Sequence, residues 1–345
     1  MNNVFRVSGA ILFIFLLLIP SCKKEIKPTP PIITTTAIIE ISHITATVEG
    51  DVTNDGGAPI ISRGICWNTS DAVTIANNKT KESGGLGTFT STINEQLVVS
   101  TMYWVKAYAT NSVGTGYGNA ISFRTKFSPI IFNPNLTYGT VTDIEGNQYK
   151  TITIGKSKTM TAGTQVWMAE NLKTTKYNDE TDIPLVTNYS EWAGLSTHAY
   201  CWSLNNEELY KNLYGAIYNG YAATTGKLCP IGWHVPTDDE WTTLIEYLGG
   251  SNVAGDKLKE SGTTHWSDPN TGATNEIGFT ALPGGNRDSW SGGFSSIGFI
   301  SYWWSSSESG TNNVWGQRIE FEYNRIDRVD PDKKYGCFVR CIKDN

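Results

Sequence analysis

The sequence predicts two β-rich domains: an all-β sandwich at residues 32–126 and an α+β domain at residues 138–345, joined by a linker at 127–137. Short alternating apolar runs, separated by Gly, Asn, Asp and Pro clusters, recur from residue 33 to residue 125, as is typical of a sandwich. After residue 138, two stretches with helical spacing occur among strand-like runs, which favours a mixed domain. Ten of the 12 tryptophans also lie in this second part.

The first residues have the pattern of an export signal. Arg6 precedes an apolar run at residues 10–19, which is too short to span a bilayer because a spanning helix needs roughly 20 apolar residues. The letters IPSC at residues 19–22 resemble a lipobox, whose cysteine receives a diacylglycerol. We therefore expect residues 1–21 to be a lipoprotein signal peptide and Cys22 to be lipidated. The alternative is an ordinary signal peptide followed by an incidental cysteine.

Residues 22–31 are rich in lysine and proline, a composition that predicts a tether. No later stretch is apolar enough to span a membrane. The expected location is the cell envelope, with the protein attached by its lipid to the outer membrane and exposed on the cell surface. The 27 basic and 33 acidic residues give a net charge of −6 without a basic run, which disfavours nucleic acid as a partner.

The first domain is expected to contain strands near residues 44–52, 60–67, 88–93, 103–110 and 120–125. The letters RGICWNTS at 63–70 and YWVKAYATN at 103–111 resemble the fibronectin type III-like modules of bacterial surface proteins. That resemblance implies a role in spacing or weak binding. Within this domain Cys66 has no partner cysteine, so we expect a buried thiol beside Trp67.

In the second domain, residues 141–154 predict a hairpin with a Gly-Asn turn, and residues 165–172 predict a further strand. Thr237 and Glu240 have the spacing of a capping box, and apolar residues at helical spacing follow as far as Leu248, so a helix is expected there. The spacing of apolar residues from Glu207 to Tyr221 predicts a second helix.

Several separated blocks in this domain resemble the Fibrobacter succinogenes major paralogous (FISUMP) domain, and together they cover nearly all of residues 138–345. The blocks are YCW at 200–202, YGAIYN at 214–219, LCPIGWHVPT at 228–237, GFTALPGG at 278–285, WWSSSE at 303–308 and VRC at 339–341. That family is similar to formylglycine-generating enzymes and to C-type lectin-like folds. The resemblance implies a mixed domain whose two chain ends lie together.

The resemblance also implies a disulfide between Cys229 and Cys341, which match a bridge of those relatives. Cys201 and Cys337 remain in the same domain, and a bridge between them is expected by elimination. No paired C-x-x-C or histidine motif accompanies these cysteines, so no metal site is expected.

An enzyme related to the formylglycine-generating proteins would need a copper-binding cysteine pair near the C-terminus. Cys337 precedes Cys341 by only four residues, and the basic, aromatic segment around the active pair is not recognisable. The histidines are far apart in sequence and have no pattern that nominates a base. No catalytic residue, metal or cofactor is therefore expected, and Arg287 and Asp288 are expected to form only a local ion pair.

Tryptophans are the candidates for ligand binding, because an exposed indole can stack on the C–H face of a sugar ring. The candidates are Trp266, Trp290, Trp303 and Trp315, of which the first two stand among small polar residues. The alternative is that tryptophans fill the core, which we expect of Trp233, Trp241 and Trp304.

The expected function is that of a lipid-anchored surface protein that binds or adheres to a glycan or another extracellular ligand, such as a cell-surface protein. The alternative is an extracytoplasmic enzyme with an unrecognised site.

Overall fold

The computed structural model describes residues 27–155 and 164–344. Within them the chain forms two compact units: unit 1 ends at Arg124, and unit 2 begins at Thr125 and also includes Val98–Thr101. The expected leader, Cys22 and the first part of the tether lie outside the described residues. No helix in the described part of the chain combines the length and hydropathy that a membrane crossing requires.

The described part of unit 1 is all-β, as predicted, and its strands form two antiparallel sheets. One sheet has the order β1-β2-β5, and the other has the order β4-β3-β6-β7 with β8 also paired to β6. The strands are β1 (Ile32–Ile41), β2 (Ala46–Asn54), β3 (Ser62–Asn68), β4 (Asn78–Lys79), β5 (Gly87–Ile93), β6 (Met102–Thr110), β7 (Thr115–Tyr117) and β8 (Ile121–Arg124).

The core of unit 1 lies between these sheets. Val48 and Phe89 from the first sheet and Ile65 and Val105 from the second belong to one buried cluster. Alternation in β2 and β5 directs every second side chain inward, which is why those strands were predictable. Strand β1 was not predicted, because three register shifts interrupt its pairing with β2 and break the alternation.

Unit 2 mixes short helices with several sheets. Its described strands are β9 (Gly139–Thr142), β10 (Gln148–Ile154), β11 (Gln165–Met168), β12 (Tyr200–Trp202), β13 (Ala216–Asn219), β14 (Trp233–His234), β15 (Asn286–Arg287), β16 (Phe294–Ser295), β17 (Ile300–Glu308), β18 (Val314–Glu320), β19 (Ile326–Val329), β20 (Gly336–Cys337) and β21 (Ile342–Lys343). Its described helices are α1 (Tyr189–Ala193), α2 (Glu207–Tyr214), α3 (Gly220–Ala223), α4 (Asp238–Tyr247) and α5 (Ser251–Leu258).

The sheets of unit 2 bring together strands from both ends of the unit. The order β14-β21-β11-β10-β9 places the last strand, β21, beside β11, while β9 and β10 form the predicted hairpin. A second sheet has the order β12-β13-β20-β15-β16, and a third has the order β17-β18-β19.

Helix α4 confirms the prediction from its capping residues. The Thr237 hydroxyl accepts the backbone N–H of Glu240, and the Glu240 carboxylate accepts the backbone N–H of Thr237. These two bonds satisfy donors that the first helical turn leaves free.

The predicted second helix is wrong beyond Tyr214. Gly215 has a φ of 78°, and a Cβ at this position would lie 2.7 Å from the carbonyl oxygen of Leu172, so the chain leaves the helix there. The next four residues, Ala216–Asn219, form strand β13 between β12 and β20. All four are buried, because a central strand that is covered on both faces has no solvent-exposed side. Apolar residues in such a strand can match the spacing of a helix without forming one.

The structure contains the Cys229–Cys341 disulfide, but the expected Cys201–Cys337 bridge is wrong. Cys201 is in register with Ile217, whereas Cys337 is in register with the next residue, Tyr218. Successive positions of a strand face opposite sides of the sheet, so the two thiols lie in different buried clusters and cannot meet.

Residues 127–137, which composition predicts to be a linker, pack within unit 2. Phe127 contacts Tyr210 with the ring centroids 5.4 Å apart, and Asn133 donates to the carbonyl oxygen of Asn275. We call residues 126–132 the strap, because they run beside helix α2.

Candidate functional site

The four candidate tryptophans differ sharply in exposure. Trp290 is 91% exposed, whereas Trp266 and Trp303 are 1% and 0% exposed and Trp315 is half-buried. The expectation that Trp266 and Trp303 face a ligand is therefore wrong. The indole N–H of Trp266 donates to the carbonyl oxygen of Ala281 and that of Trp303 to Asn171 Oδ1, so both side chains are satisfied inside the core.

Trp315 has one ring face covered. The guanidinium of Arg328 lies 3.3 Å from the centroid of the Trp315 ring, and Arg328 also forms a bidentate ion pair with Asp238. A sugar would have to displace this cation to stack on that face. Trp241 and Trp304 are fully buried, as predicted, whereas Trp233, which was also expected to fill the core, is only half-buried.

Trp290 lies in a tight loop between strands β15 and β16. Asp288 holds this loop, since its Oδ1 accepts the backbone N–H groups of Trp290 and Ser291 at 2.9 and 2.7 Å and the hydroxyl of Ser291 at 3.0 Å. These contacts are internal to the loop, so the Trp290 backbone is ordered without help from its own side chain.

Arg287 anchors the same loop from inside. Its guanidinium is fully buried and donates to the carbonyl oxygens of Gly292, Val186, Thr187 and Asn188. The expected ion pair between Arg287 and Asp288 is thus wrong. The two side chains belong to different networks, because the buried guanidinium bonds four carbonyl oxygens while the half-buried Asp288 carboxylate accepts N–H and hydroxyl groups of its own loop.

Tyr189 and Phe294 adjoin the loop and complete an aromatic surface. Tyr189 is 51% exposed and meets Phe294 edge to face, with centroids 6.0 Å apart. Gly292 has a φ of 66°, and a Cβ there would lie 2.0 Å from the Tyr189 carbonyl oxygen, so the loop packs directly on Tyr189. We call Tyr189, Trp290 and Phe294 the aromatic platform.

Arg287 supports the platform from beneath. Its guanidinium carbon lies 4.8 Å from the Phe294 ring centroid, 4.3 Å from that of Trp192 and 5.7 Å from that of Tyr189. A cation between rings orients them and restricts their motion. Arg287 therefore holds the rings of Tyr189 and Phe294, while Trp290 extends into solvent from the adjoining loop.

Two histidine–carboxylate pairs were not found from the sequence. His234 Nδ1 lies 2.6 Å from Asp344 and its Nε2 lies 3.0 Å from Glu240, while the buried His265 Nδ1 lies 2.6 Å from Glu260. A capping glutamate reaches back toward the residues before its helix, so the position of His234 just ahead of Thr237 was a usable signal.

The cysteines do not form the pair that copper-dependent chemistry of the formylglycine-generating type would use. Cys341 is bonded to Cys229, and Cys337 is a buried thiol whose pKa is raised by burial. In residues 27–155 and 164–344, no group of three or more His, Cys, Asp or Glu side chains is arranged to hold a metal ion.

Comparison with solved structures finds the sensor domain of the anti-sigma factor RsgI4 of Pseudobacteroides cellulosolvens. The similarity has 19% identity and a TM-score of 0.22 and covers 28% of this chain and 95% of that domain. No curated protein matches the chain.

Comparison with protein families gives a match to the Fibrobacter succinogenes major domain over residues 160–343. The match spans more than half of the 345 residues and contains every sequence block that resembles the FISUMP domain. The chain therefore belongs to the Fibrobacter succinogenes major domain family.

Proposed function

We propose that this protein is an exported lipoprotein of the cell envelope, anchored through Cys22, whose unit 2 binds polysaccharide on the aromatic platform. The observation that carries the binding proposal is the 91% exposure of Trp290 on a loop that is held by its own hydrogen bonds. The sequence of residues 1–22 supports the anchor.

An exposed indole is energetically unfavourable in water, since burying a large apolar side chain stabilises a fold by roughly 1.5 to 3 kcal/mol. The chain buries most of its other tryptophans, and it holds this one outward with Asp288 and the buried Arg287. A flat indole on an ordered backbone suits stacking against a pyranose, and the half-exposed Tyr189 on the neighbouring segment offers a second ring and a hydroxyl.

The folds of both units support a binding and spacing role. In unit 1, strands β1, β2 and β5 face β4, β3, β6 and β7, the sandwich architecture that fibronectin type III modules have. In unit 2, one sheet contains both the first strands, β9 and β10, and the last strand, β21, as in C-type lectin-like domains. We propose these as the relationships of the two units.

The test is to titrate the full chain, in mild detergent, with soluble xylan and mixed-linkage β-glucan while following tryptophan fluorescence and mobility in polysaccharide-containing native gels. Binding is expected to be weak and insensitive to EDTA. The variant Trp290→Ala should lose at least about tenfold in affinity, since the loss of one aromatic stacking contact is worth about 0.5 to 1.5 kcal/mol in addition to the buried area. Trp290→Phe should retain part of the binding.

Ile231→Ala is the matched control, because Ile231 is an exposed apolar residue outside the platform. Its affinity should equal that of the unmodified protein. If Trp290→Ala binds as tightly as the unmodified protein, or if EDTA abolishes binding, the aromatic platform is not the polysaccharide-binding site.

A further inference from the structure

The strap, residues 126–132, is held on unit 2 by two side chains of the segment that follows helix α5. His265 Nε2 donates to the carbonyl oxygen of Ser128 at 2.9 Å, and Glu260 Oε1 accepts the backbone N–H of Ile131 at 2.7 Å. His265 Nδ1 and Glu260 Oε2 lie 2.6 Å apart, and the two side chains are 1% and 0% exposed. We call this buried pair, with its two bonds to the strap, the latch.

The latch needs a protonated imidazole ring. Both nitrogens of His265 face acceptors, which are the carboxylate of Glu260 and the carbonyl oxygen of Ser128. A neutral imidazole has a single N–H and can satisfy only one of them, whereas an imidazolium donates to both. When the proton is lost, one buried acceptor has no donor or faces a nitrogen lone pair, which is unfavourable. The proton on this ring therefore decides whether the latch is intact.

The electrostatics of the pair favour the charged ring. Burial lowers the pKa of His265, but the hydrogen bond to Glu260 and its negative charge outweigh burial and raise the pKa above the usual 6.5. Because the folded-state pKa is the higher one, the stabilisation is fully present below pH 6.5 and is lost as the pH rises through the raised value. The latch is therefore closed below pH 6.5 and weakens on the alkaline side.

Three other titratable groups adjoin the pair. On α2, burial raises the pKa of Tyr214 and the charge of Glu260 adds to this effect, so the phenol stays neutral. The strap itself has one titratable side chain, the exposed Lys126. Lys259 donates to backbone carbonyl oxygens, among them that of Thr271, and burial lowers its pKa to about 8. Lys259 is thus a second group that loses a proton in the alkaline range, and an experiment has to distinguish it from His265.

Apolar contacts also hold the strap, and they do not depend on pH. The Phe127 ring lies 5.4 Å from that of Tyr210 and 6.3 Å from that of Tyr214, while Ile130 and Phe132 pack against the same core cluster. The latch therefore shifts an equilibrium between a closed and an open strap, in which the apolar contacts favour the closed state throughout.

We propose that the strap is a conformational switch: loss of the proton on His265 lets residues 126–132 leave unit 2 as one segment, while the rest of the unit stays folded. Unit 1 ends at Arg124, so the freed residues become a flexible connection between the two units. Seven residues at roughly 3.3 Å each span up to about 23 Å when extended. Opening also uncovers the apolar face of α2. The switch depends neither on the polysaccharide proposal nor on the lipid anchor.

The reporter of the closed strap is the backbone N–H of Ile131, whose acceptor is Glu260. Hydrogen–deuterium exchange of the full chain in mild detergent, resolved by mass spectrometry and corrected for the intrinsic pH dependence of exchange, measures its protection. From pH 6 to pH 9.5 this protection should fall about tenfold, as expected for the loss of roughly one charge-assisted hydrogen bond. The N–H of Trp304, which bonds the carbonyl oxygen of Phe338 in the core, should stay protected because the opening is local.

The variant Glu260→Gln should abolish the pH dependence. Its carboxamide can donate to Nδ1 of a neutral His265 ring and accept the N–H of Ile131, so the strap stays closed without the proton. At pH 9, trypsin should accordingly cleave after Lys126 faster in the unmodified protein than in this variant. His234→Gln is the matched control, because it removes the other paired histidine and should leave the exchange of Ile131 unchanged.

Trp304 protection equal to that of the unmodified protein shows that each variant is folded. The proposal is overturned if Ile131 keeps its full protection up to pH 9.5. It is also overturned if Glu260→Gln retains the alkaline loss, which would assign the titration to Lys259. Parallel loss of protection at Ile131 and Trp304 would likewise overturn it, since the whole unit would then be opening.

Discussion

At the scale of single residues, His234 joins the last residues of unit 2 to the start of helix α4. Its ring lies between the carboxylates of Glu240 and Asp344. The hydrogen bond to Glu240, followed by the one to Asp344, raises the pKa of His234 from 6.5 to about 9 although partial burial lowers it. The folded state therefore binds a proton that the unfolded chain releases at lower pH.

This shift predicts that the free energy of unfolding decreases as the pH becomes alkaline. Because the folded-state pKa is the higher one, the stabilisation is fully present below pH 6.5 and is lost as the pH rises through about 9. The side chain is 35% exposed, so solvent screening reduces the contribution to about 1 kcal/mol. His234→Gln should lower the free energy of unfolding by that amount at pH 6 and by little at pH 10, measured by urea unfolding.

His43→Gln serves as the control, since His43 lies in unit 1 and outside this cluster. It should leave the pH dependence of the tryptophan-detected transition intact. A His234→Gln variant with the same deficit at pH 6 and pH 10 would show that packing, rather than the charge of the ring, is what the histidine contributes.

Single residues also show the limit of local inference. Trp266 and Trp290 both stand among small polar residues, yet the first is buried and the second is exposed. Trp266 is enclosed because Ala281, 15 positions away, accepts its indole N–H. Neighbours in sequence do not report such distant contacts.

At the scale of secondary structure elements, the sequence predicted the elements whose formation depends on residues close together in the chain. Helix α4 begins where Thr237 and Glu240 exchange hydrogen bonds, and the loop 143–147 of the β9–β10 hairpin is closed by Gly146, whose φ is 82°. Both were predictable because the atoms that decide them are within a few residues. Strand β13 was not predictable, because its place in the sheet depends on β20, which comes from a distant part of the chain.

The Cys229–Cys341 disulfide connects two elements, the segment before α4 and the residues that lead into β21, across a sequence separation of 112. Closing a loop of this length removes about 4 to 5 kcal/mol of unfolded-chain entropy. The double variant Cys229→Ala, Cys341→Ala should lose about that much unfolding free energy, as measured by urea denaturation of the oxidised protein.

Reducing agent provides the control for this prediction. It should lower the unfolding midpoint of the unmodified protein toward that of the double variant and leave the variant unchanged. If the reductant shifts neither protein, the bridge does not contribute to stability.

Cys66 and Cys201 should stay unmodified by iodoacetamide in the native protein, because burial raises their pKa to about 11 and about 12.

At the scale of the whole molecule, the proposed lipid on Cys22 decides the compartment of both units. Cys22→Ala should move the protein from the membrane fraction to the soluble fraction and abolish incorporation of labelled palmitate, because one chain-end lipid is the proposed attachment. Cell fractionation and immunoblotting provide the measurement.

Cys66→Ala is the control, since it replaces another cysteine without touching the proposed lipobox. It should fractionate like the unmodified protein. Membrane association that survives Cys22→Ala would rule out lipidation as the anchor.

The sequence by itself determined the two-part organisation, the all-β character of unit 1, the family of unit 2, helix α4 and the Cys229–Cys341 bridge. Periodicity and capping chemistry account for the all-β character and helix α4, whereas the bridge was implied by the resemblance to a known family. Only the tertiary structure decided that residues 127–137 pack within unit 2, that Cys201 and Cys337 face opposite sides of one sheet, and that Trp290 is exposed while Trp266 and Trp303 are not. Each of these depends on contacts between residues far apart in sequence, whose packing sets what is buried and what remains open to a ligand.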